Sequence, residues 1–147
     1  YGLVAIGNFK LLNKREVLFN FYKDKGVRFK KVISSTSYVS SSANIDEGSI
    51  LMHQTFVNTH VTIGKNCIIN TGSIIEHETN ILNNSVISPR CTINGGVNIG
   101  SNCYIGTGTI IHENVIIEDN CIIGSGLVIR KNITKNSKTI SQRQIDK

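Results

Sequence analysis

Every sixth residue from Val39 to Ile129 is aliphatic: Val39, Ile45, Leu51, Val57, Ile63, Ile69, Ile75, Ile81, Ile87, Ile93, Ile99, Ile105, Ile111, Ile117, Ile123 and Ile129. Ile, Leu and Val fill 42 of the 147 positions, so an unbroken run of this length arises by chance with odds on the order of 10⁻⁹. A period of six matches neither a helix nor a simple strand. It predicts an all-β solenoid, in which short parallel strands joined by tight turns wind into coils of three hexads. Coils of 18 residues can be read from Val61, Thr79, Val97 and Val115, and the run from about 36 to 134 gives five to six of them.

The second residue before each aliphatic is small in nearly every hexad, as in Ser49, Thr55, Cys67, Ser73, Thr79 and Ser85. Both positions point inward, and a narrow coil has little room. The residue after the aliphatic is often Gly or Asn, as in Asn58, Gly64, Asn70, Asn94, Gly100, Gly106 and Gly124. Those residues are expected to take left-handed backbone angles at the corners. Cys67, Cys91, Cys103 and Cys121 all fall on the small inward position. They read as buried, reduced thiols packing as small hydrophobes, which fits a cytoplasmic protein. No Cys-x-x-Cys occurs, so no metal site is expected.

Three segments are expected: a partial α/β unit over 1–33, the solenoid over 34–134 and a basic tail over 135–147. In the first, a strand Leu3–Ile6 leads through a turn at Gly7-Asn8 into a helix from about Phe9 to Lys25, stopped by Gly26. Asn13 with Glu16 is an alternative helix start. Val27–Ile33 forms a second strand, and a Ser-rich passage from Ser34 to Ser42 enters the first coil. One strand, one helix and one strand make half of an α/β unit, and the chain lacks an initiator Met; we read it as a piece of a longer protein.

The net charge of +6 is uneven. Residues 1–31 carry eight Lys and Arg against two acids, residues 32–127 two against seven, and residues 128–147 six against one. Few aromatics and no nucleic-acid motif accompany this charge, so a nucleic-acid partner is not expected. The basic ends read as solvated faces or as a site for the phosphates of a small cofactor or nucleotide. No apolar run is long enough to span a membrane, and no membrane partner is expected.

Among His53, His60, His77 and His112, the surroundings of His77 stand out: Asn70-Thr-Gly-Ser-Ile-Ile-Glu76-His77-Glu78. A carboxylate holding one ring nitrogen raises the basicity of the other. Eighteen residues on lies Gly95, followed by Gly96. A glycine stacked above a histidine leaves its N–H open to a ligand, where it could stabilise an oxyanion. A base and an oxyanion donor one rung apart suit acyl transfer to an amine or hydroxyl.

These segments, with Val4-Ala-Ile-Gly-Asn8, Ile87-Ser-Pro89 and Ile123-Gly-Ser-Gly-Leu-Val-Ile-Arg-Lys-Asn-Ile133, resemble the hexapeptide-repeat acyltransferases, and within them the sugar O- and N-acetyltransferases of the sialic-acid and bacillosamine type. The resemblance implies a left-handed parallel β-helix, a homotrimer, and acetyl-CoA as cosubstrate with no metal. It implies that the acceptor is an amino or hydroxyl group of a nucleotide-linked or sialic-acid-like sugar. It implies that His77 is the general base, oriented by Glu78, that Asn70 and Glu76 help place the acceptor, and that the Gly95 amide faces the thioester carbonyl. Acetyl-CoA would lie along Gly95 and Gly96 towards Arg130 and Lys131, in a groove between subunits. Members often carry a second histidine nine residues after the base, where this chain has Val86.

A strip of Ile68, Ile74, Ile110, Ile116 and Ile122 is expected to form the subunit interface. Two other readings share the fold. A zinc site of the γ-carbonic-anhydrase type needs two histidines five residues apart, and no pair here has that spacing. A catalytically silent structural solenoid is the main alternative, favoured by Val86.

Overall fold

A computed structural model describes residues 1–6, 10 and 12–139. The chain forms a left-handed parallel β-helix of about six turns. Three parallel sheets make the sides of a triangular prism. The first sheet stacks Val32–Ile33, Ile50–Leu51, Ile68–Ile69, Val86–Ile87, Tyr104–Ile105, Ile122–Ile123 and Lys138–Thr139. The second stacks Tyr38–Val39, Phe56–Val57, Ile74–Ile75, Thr92–Ile93, Ile110–Ile111 and Val128–Ile129. The third stacks Asn44–Ile45, Thr62–Ile63, Asn80–Ile81, Asn98–Ile99 and Ile116–Ile117. We call the turn from first to second sheet the first corner, from second to third the second corner, and from third back to first the third corner.

Strands pair 18 residues apart, as in Ile93↔Ile111. The last coil is two residues shorter, since Ile117 pairs Ile133 and Ile122 pairs Lys138. The missing residues come out of the second corner, at Arg130–Asn132. The aliphatic column is the core: ten of its residues, from Ile63 to Ile117, are less than 2% exposed. Burying each such side chain contributes about 1.5–3 kcal/mol.

The corners differ from expectation in two ways. The left-handed residue is the third after the aliphatic, not the first. Every sixth residue from Gly48 to Gly126 has positive φ, including Asn66, Glu78, Asn84, Arg90, Gly96 and Asn114. Gly64, Gly100 and Gly106 serve close stacking instead. A Cβ at Gly106 would lie 2.5 Å from the carbonyl carbon of Gly124, and one at Gly100 would lie 2.6 Å from the Asp119 nitrogen. In addition, the small inward residue is a hydrogen-bond donor as well as a filler. Its hydroxyl or thiol donates to a corner carbonyl of the next coil. Ser49 donates to Gly64 O at 2.6 Å, Ser85 to Gly100 O at 2.7 Å, and Thr109 to Gly124 O at 2.8 Å. Cys67, Cys91 and Cys103 do the same at 3.0–3.1 Å. Burial pushes the thiols of Cys67 and Cys91 up to about 11 and that of Cys103 to about 12. All four cysteines are free and buried.

The N-terminal helix, α1 (Leu12–Asp24), lies across the first sheet. Its stop is as expected: Gly26 has φ +80° and its N–H donates to Lys23 O, while Val27 N–H reaches Tyr22 O, a helix-ending pair. The proposed turn at Gly7-Asn8 and the helix start at Phe9 lie outside the described residues. Asn13 is inside the helix rather than capping it. The expected strand Leu3–Ile6 is absent; one parallel bridge, Gly2↔Phe29, takes its place. Of the expected strand Val27–Ile33, only Val32–Ile33 is extended and paired in the solenoid. Leu12 packs on Ile50, Ile68 and Val86, and Phe19 on Phe29 with ring centroids 4.3 Å apart. Arg15 is fully buried. Its Nη2 donates to Asn66 Oδ1 at 3.0 Å, and burial lowers its pKa to about 10.

The expected isoleucine strip does not exist as one surface. A step of six residues moves an outward side chain to the next face. Ile68 and Ile122 therefore stand on the first sheet, Ile74 and Ile110 on the second, and Ile116 on the third. Ile68 is covered beneath Leu12. The apolar face left open is that of the second sheet, where Tyr38 stacks on Phe56 at 4.9 Å and Ile74 and Ile110 are exposed.

Candidate active site

The second corner gathers His60, His77 and His112, one per coil with the coil of Gly95 between the last two. Its stacked residues run Asn58-Thr59-His60, Glu76-His77-Glu78, Asn94-Gly95-Gly96, His112-Glu113-Asn114 and Arg130-Lys131. His77 Nδ1 lies 3.3 Å from Glu78 Oε2. A carboxylate only accepts, so Nδ1 is the donor across this contact, which in a neutral ring leaves Nε2 as the acceptor. Glu78 has φ +59°, a conformation that costs a residue with a Cβ about 1–2 kcal/mol. Asn or Gly holds this position at most corners; here a carboxylate holds it beside the imidazole. Asn58 Nδ2, one rung below, donates to Glu76 Oε2 at 2.6 Å and fixes this second carboxylate.

The imidazole rises onto the next coil. A Cβ at Gly95 would lie 2.5 Å from His77 Cε1 and 2.6 Å from Nε2. A Cβ there would push the ring aside, so it is the glycine that lets Nε2 lie close beside the residue 95 backbone. The Gly95 carbonyl accepts from Asn114 N–H at 3.0 Å, while no described group accepts from the Gly95 N–H. The Gly96 N–H, by contrast, donates to His77 O at 2.9 Å. Gly96 instead supplies positive φ, and a Cβ there would meet Asn114 Oδ1 at 2.4 Å.

His112 Nδ1 lies 3.7 Å from Glu113 Oε2, a second histidine–carboxylate pair that the sequence reading did not single out. Arg130 and Lys131 are exposed above it. Lys131 stands three rungs above His77, about 14 Å at the spacing of stacked strands.

Two residues are not brought to this corner. Asn70 is at the first corner, the far end of the strand Ile74–Ile75, and its Nδ2 donates to Ile87 O at 2.9 Å. Val86 is on the first sheet, fully buried with Leu12, Ile50 and Ile68. An imidazole there would lose its solvation to an apolar cluster.

His77 and Glu78 side chains are 56% and 69% exposed, so the corner is an open ridge. A hollow of about 280 Å³ lies instead on the third face, between Leu82, Asn98, Ile116 and Lys135. Among the described residues no cluster of three or more His, Cys, Asp or Glu side chains could hold a metal ion.

The family model described as GMPPB C-terminal domain matches residues 32–147. Among curated proteins none matches the chain. Solved structures do. The acetyltransferase domain of PglB from Neisseria gonorrhoeae FA1090 superposes with TM-score 0.88 at 26% identity, covering 92% of this chain and 65% of that one. PerB from Caulobacter crescentus, in complex with CoA and GDP-perosamine, gives TM-score 0.88 at 28% identity over 95% of this chain and 66% of that one. WeeI from Acinetobacter baumannii AYE gives 0.67 at 25% identity over 86% and 64%. The chain thus spans about two thirds of the length of these structures. The resemblance to hexapeptide-repeat sugar acetyltransferases is borne out by them.

Proposed function

The chain belongs to the GMPPB C-terminal domain family, and from that premise we propose that it is an acetyl-CoA-dependent acetyltransferase, acting on an amino or hydroxyl group of a nucleotide-linked or sialic-acid-like sugar. One observation carries the reading: an imidazole tied to Glu78 through Nδ1 lies with Nε2 against Gly95. The likeness to PerB, solved with CoA and GDP-perosamine, supports it.

In this reading the acceptor nitrogen or oxygen attacks the thioester carbonyl carbon as His77 Nε2 takes its proton. Charge gathers on the carbonyl oxygen beside the Gly95 N–H. The C–S bond then breaks, the sulfur leaves with its electron pair, and the imidazolium returns a proton to it. Glu78 holds the tautomer and steadies the imidazolium, while Glu76, set by Asn58, faces the acceptor. Arg130 and Lys131 attract the phosphates of acetyl-CoA farther along the corner.

The site is shared between copies in a homotrimer. Packing through the open second-sheet face would bring the first corner of one chain, with Asn70, against the second corner of the next. It would also wall the exposed His77. The α/β segment over 1–33 would help to hold the nucleotide part of the acceptor. Free buried thiols fit the reducing cytoplasm.

The test is acetyl transfer by the full-length protein to a nucleotide-linked amino sugar, with its mass measured by light scattering. His77→Ala is expected to lower transfer ~10²–10⁴-fold and to leave acetyl-CoA affinity nearly unchanged, because a general base acts on the transition state. Transfer at an unchanged rate would refute the site, and a monomer at micromolar concentration would refute the shared one.

A further inference from the structure

At the first and third corners the inward residue that braces the next coil is a hydroxyl or thiol: Ser73, Cys91 and Thr109 at the first, Ser85, Cys103 and Cys121 at the third. The second-corner column is Ala43, Val61, Thr79, Val97 and Val115. It is apolar except at Thr79, the residue following His77-Glu78. Thr79 is fully buried, and its hydroxyl donates to the carbonyl of Asn94 at 3.0 Å. That carbonyl belongs to the peptide whose nitrogen is Gly95.

We propose that Thr79 is a positioning residue, whose buried hydroxyl fixes the Asn94–Gly95 peptide so that the Gly95 N–H faces the reacting carbonyl oxygen. The assignment rests on the second corner being the acetyl-transfer site. A trans peptide is planar, so its C=O and N–H point in opposite directions. Thr79 draws the Asn94 carbonyl towards the interior, and the Gly95 N–H of the same plane therefore points out of the coil. Some equivalent N–H groups elsewhere are closed by side chains: Lys65 N–H donates to Asn83 Oδ1 at 2.8 Å, Ser101 N–H to Asp119 Oδ1 at 2.8 Å, and Thr59 N–H to Asn58 Oδ1 at 2.7 Å. At Gly95 the outward N–H is left open beside His77 Nε2. The peptide is held from inside and unoccupied outside, the arrangement a preorganised oxyanion donor requires.

The experiment compares Thr79→Val and Thr79→Ser with the parent full-length protein. Valine is what the same column holds at positions 61, 97 and 115, so the Thr79→Val protein is expected to fold, but to melt below the parent because the Asn94 carbonyl is left unpaired, and turnover is compared per folded molecule. Its kcat is expected to fall about tenfold while KM for acetyl-CoA changes less than twofold, because the lost bond steadies a contact made to the transition state. Thr79→Ser, which keeps the hydroxyl, should restore most of kcat. A parent that transfers acetyl groups with Thr79→Val equally fast would overturn the assignment, as would a Ser variant as slow as the Val variant. A folded parent that transfers nothing would instead sink the reading of the whole corner.

Discussion

The first and third corners and the second corner are built from the same hexad, yet they spend its variable positions differently. At the first and third, Ser, Thr and Cys inside lock carbonyls of the next coil, and Gly64, Gly100 and Gly106 bring successive coils into backbone contact. At the second, the inside column is almost wholly apolar, and none of Asn58, Glu76, Asn94, His112 and Arg130 is glycine. Side chains therefore stand out along the full length of that edge. Two corners and the aliphatic column thus hold the solenoid, which leaves the remaining corner free to carry chemistry.

The largest effect expected from breaking this contrast is at a structural corner. The Ser85 hydroxyl donates to Gly100 O at 2.7 Å and accepts from Cys103 N–H at 3.0 Å, fully buried. Ser85→Ala leaves both backbone groups unpaired and should cost about 1–3 kcal/mol by denaturant unfolding, with kcat unchanged. A stability loss below the error of that measurement would mean that the inward hydroxyls only fill space. A smaller effect, of opposite sign, is expected at the active corner. Glu78→Asn replaces a carboxylate at φ +59° with a residue that tolerates this backbone. It should gain up to about 1 kcal/mol of stability and lose transfer activity. A variant that is both more stable and equally active would show Glu78 to be incidental. The smallest effect concerns the thiols. Burial holds the pKa of Cys67, Cys91 and Cys103 at about 11 to 12, so a thiol reagent at pH 8 should label the native protein slowly and reach all four cysteines after denaturation. Rapid labelling of several native thiols would place them outside the coil.

The solenoid was legible because the aliphatic residues are confined to a cavity too narrow for anything else, which enforces an unbroken period. The corner chemistry was less so. Gly100 and Gly106 were read as left-handed turns, but glycine answers equally to close approach, and the left-handed role fell two residues later on Asn102 and Gly108. Ser85 and Cys103 were read as small, since size is visible in a sequence and the direction of a hydroxyl or thiol is not. The isoleucines from Ile68 to Ile122 looked like one strip because a six-residue step hides the change of face. His77, Glu78 and Gly95 could be placed together because 18 residues make one coil. Asn70, seven residues before His77, is carried to another corner by the same rule. Thr79 is marked in the sequence only by exception, as the one hydroxyl in a column otherwise Ala and Val.

The most direct test makes one substitution, glycine to alanine, at each kind of corner. At Gly106 the new methyl would meet backbone of the next coil, Gly124 C and Ser125 N, at 2.5 and 2.6 Å. At Gly95 it would meet the imidazole of His77 at 2.5 Å, a half-exposed side chain that can swing aside. Thermal unfolding and acetyl transfer are measured on both full-length variants. The account predicts that Gly106→Ala loses about 1–3 kcal/mol of stability through overpacking while the folded fraction keeps its turnover. It predicts that Gly95→Ala melts with the parent and loses at least about tenfold in kcat, as the base is pushed off its position. Equal stability losses with equal activities at the two sites would contradict it.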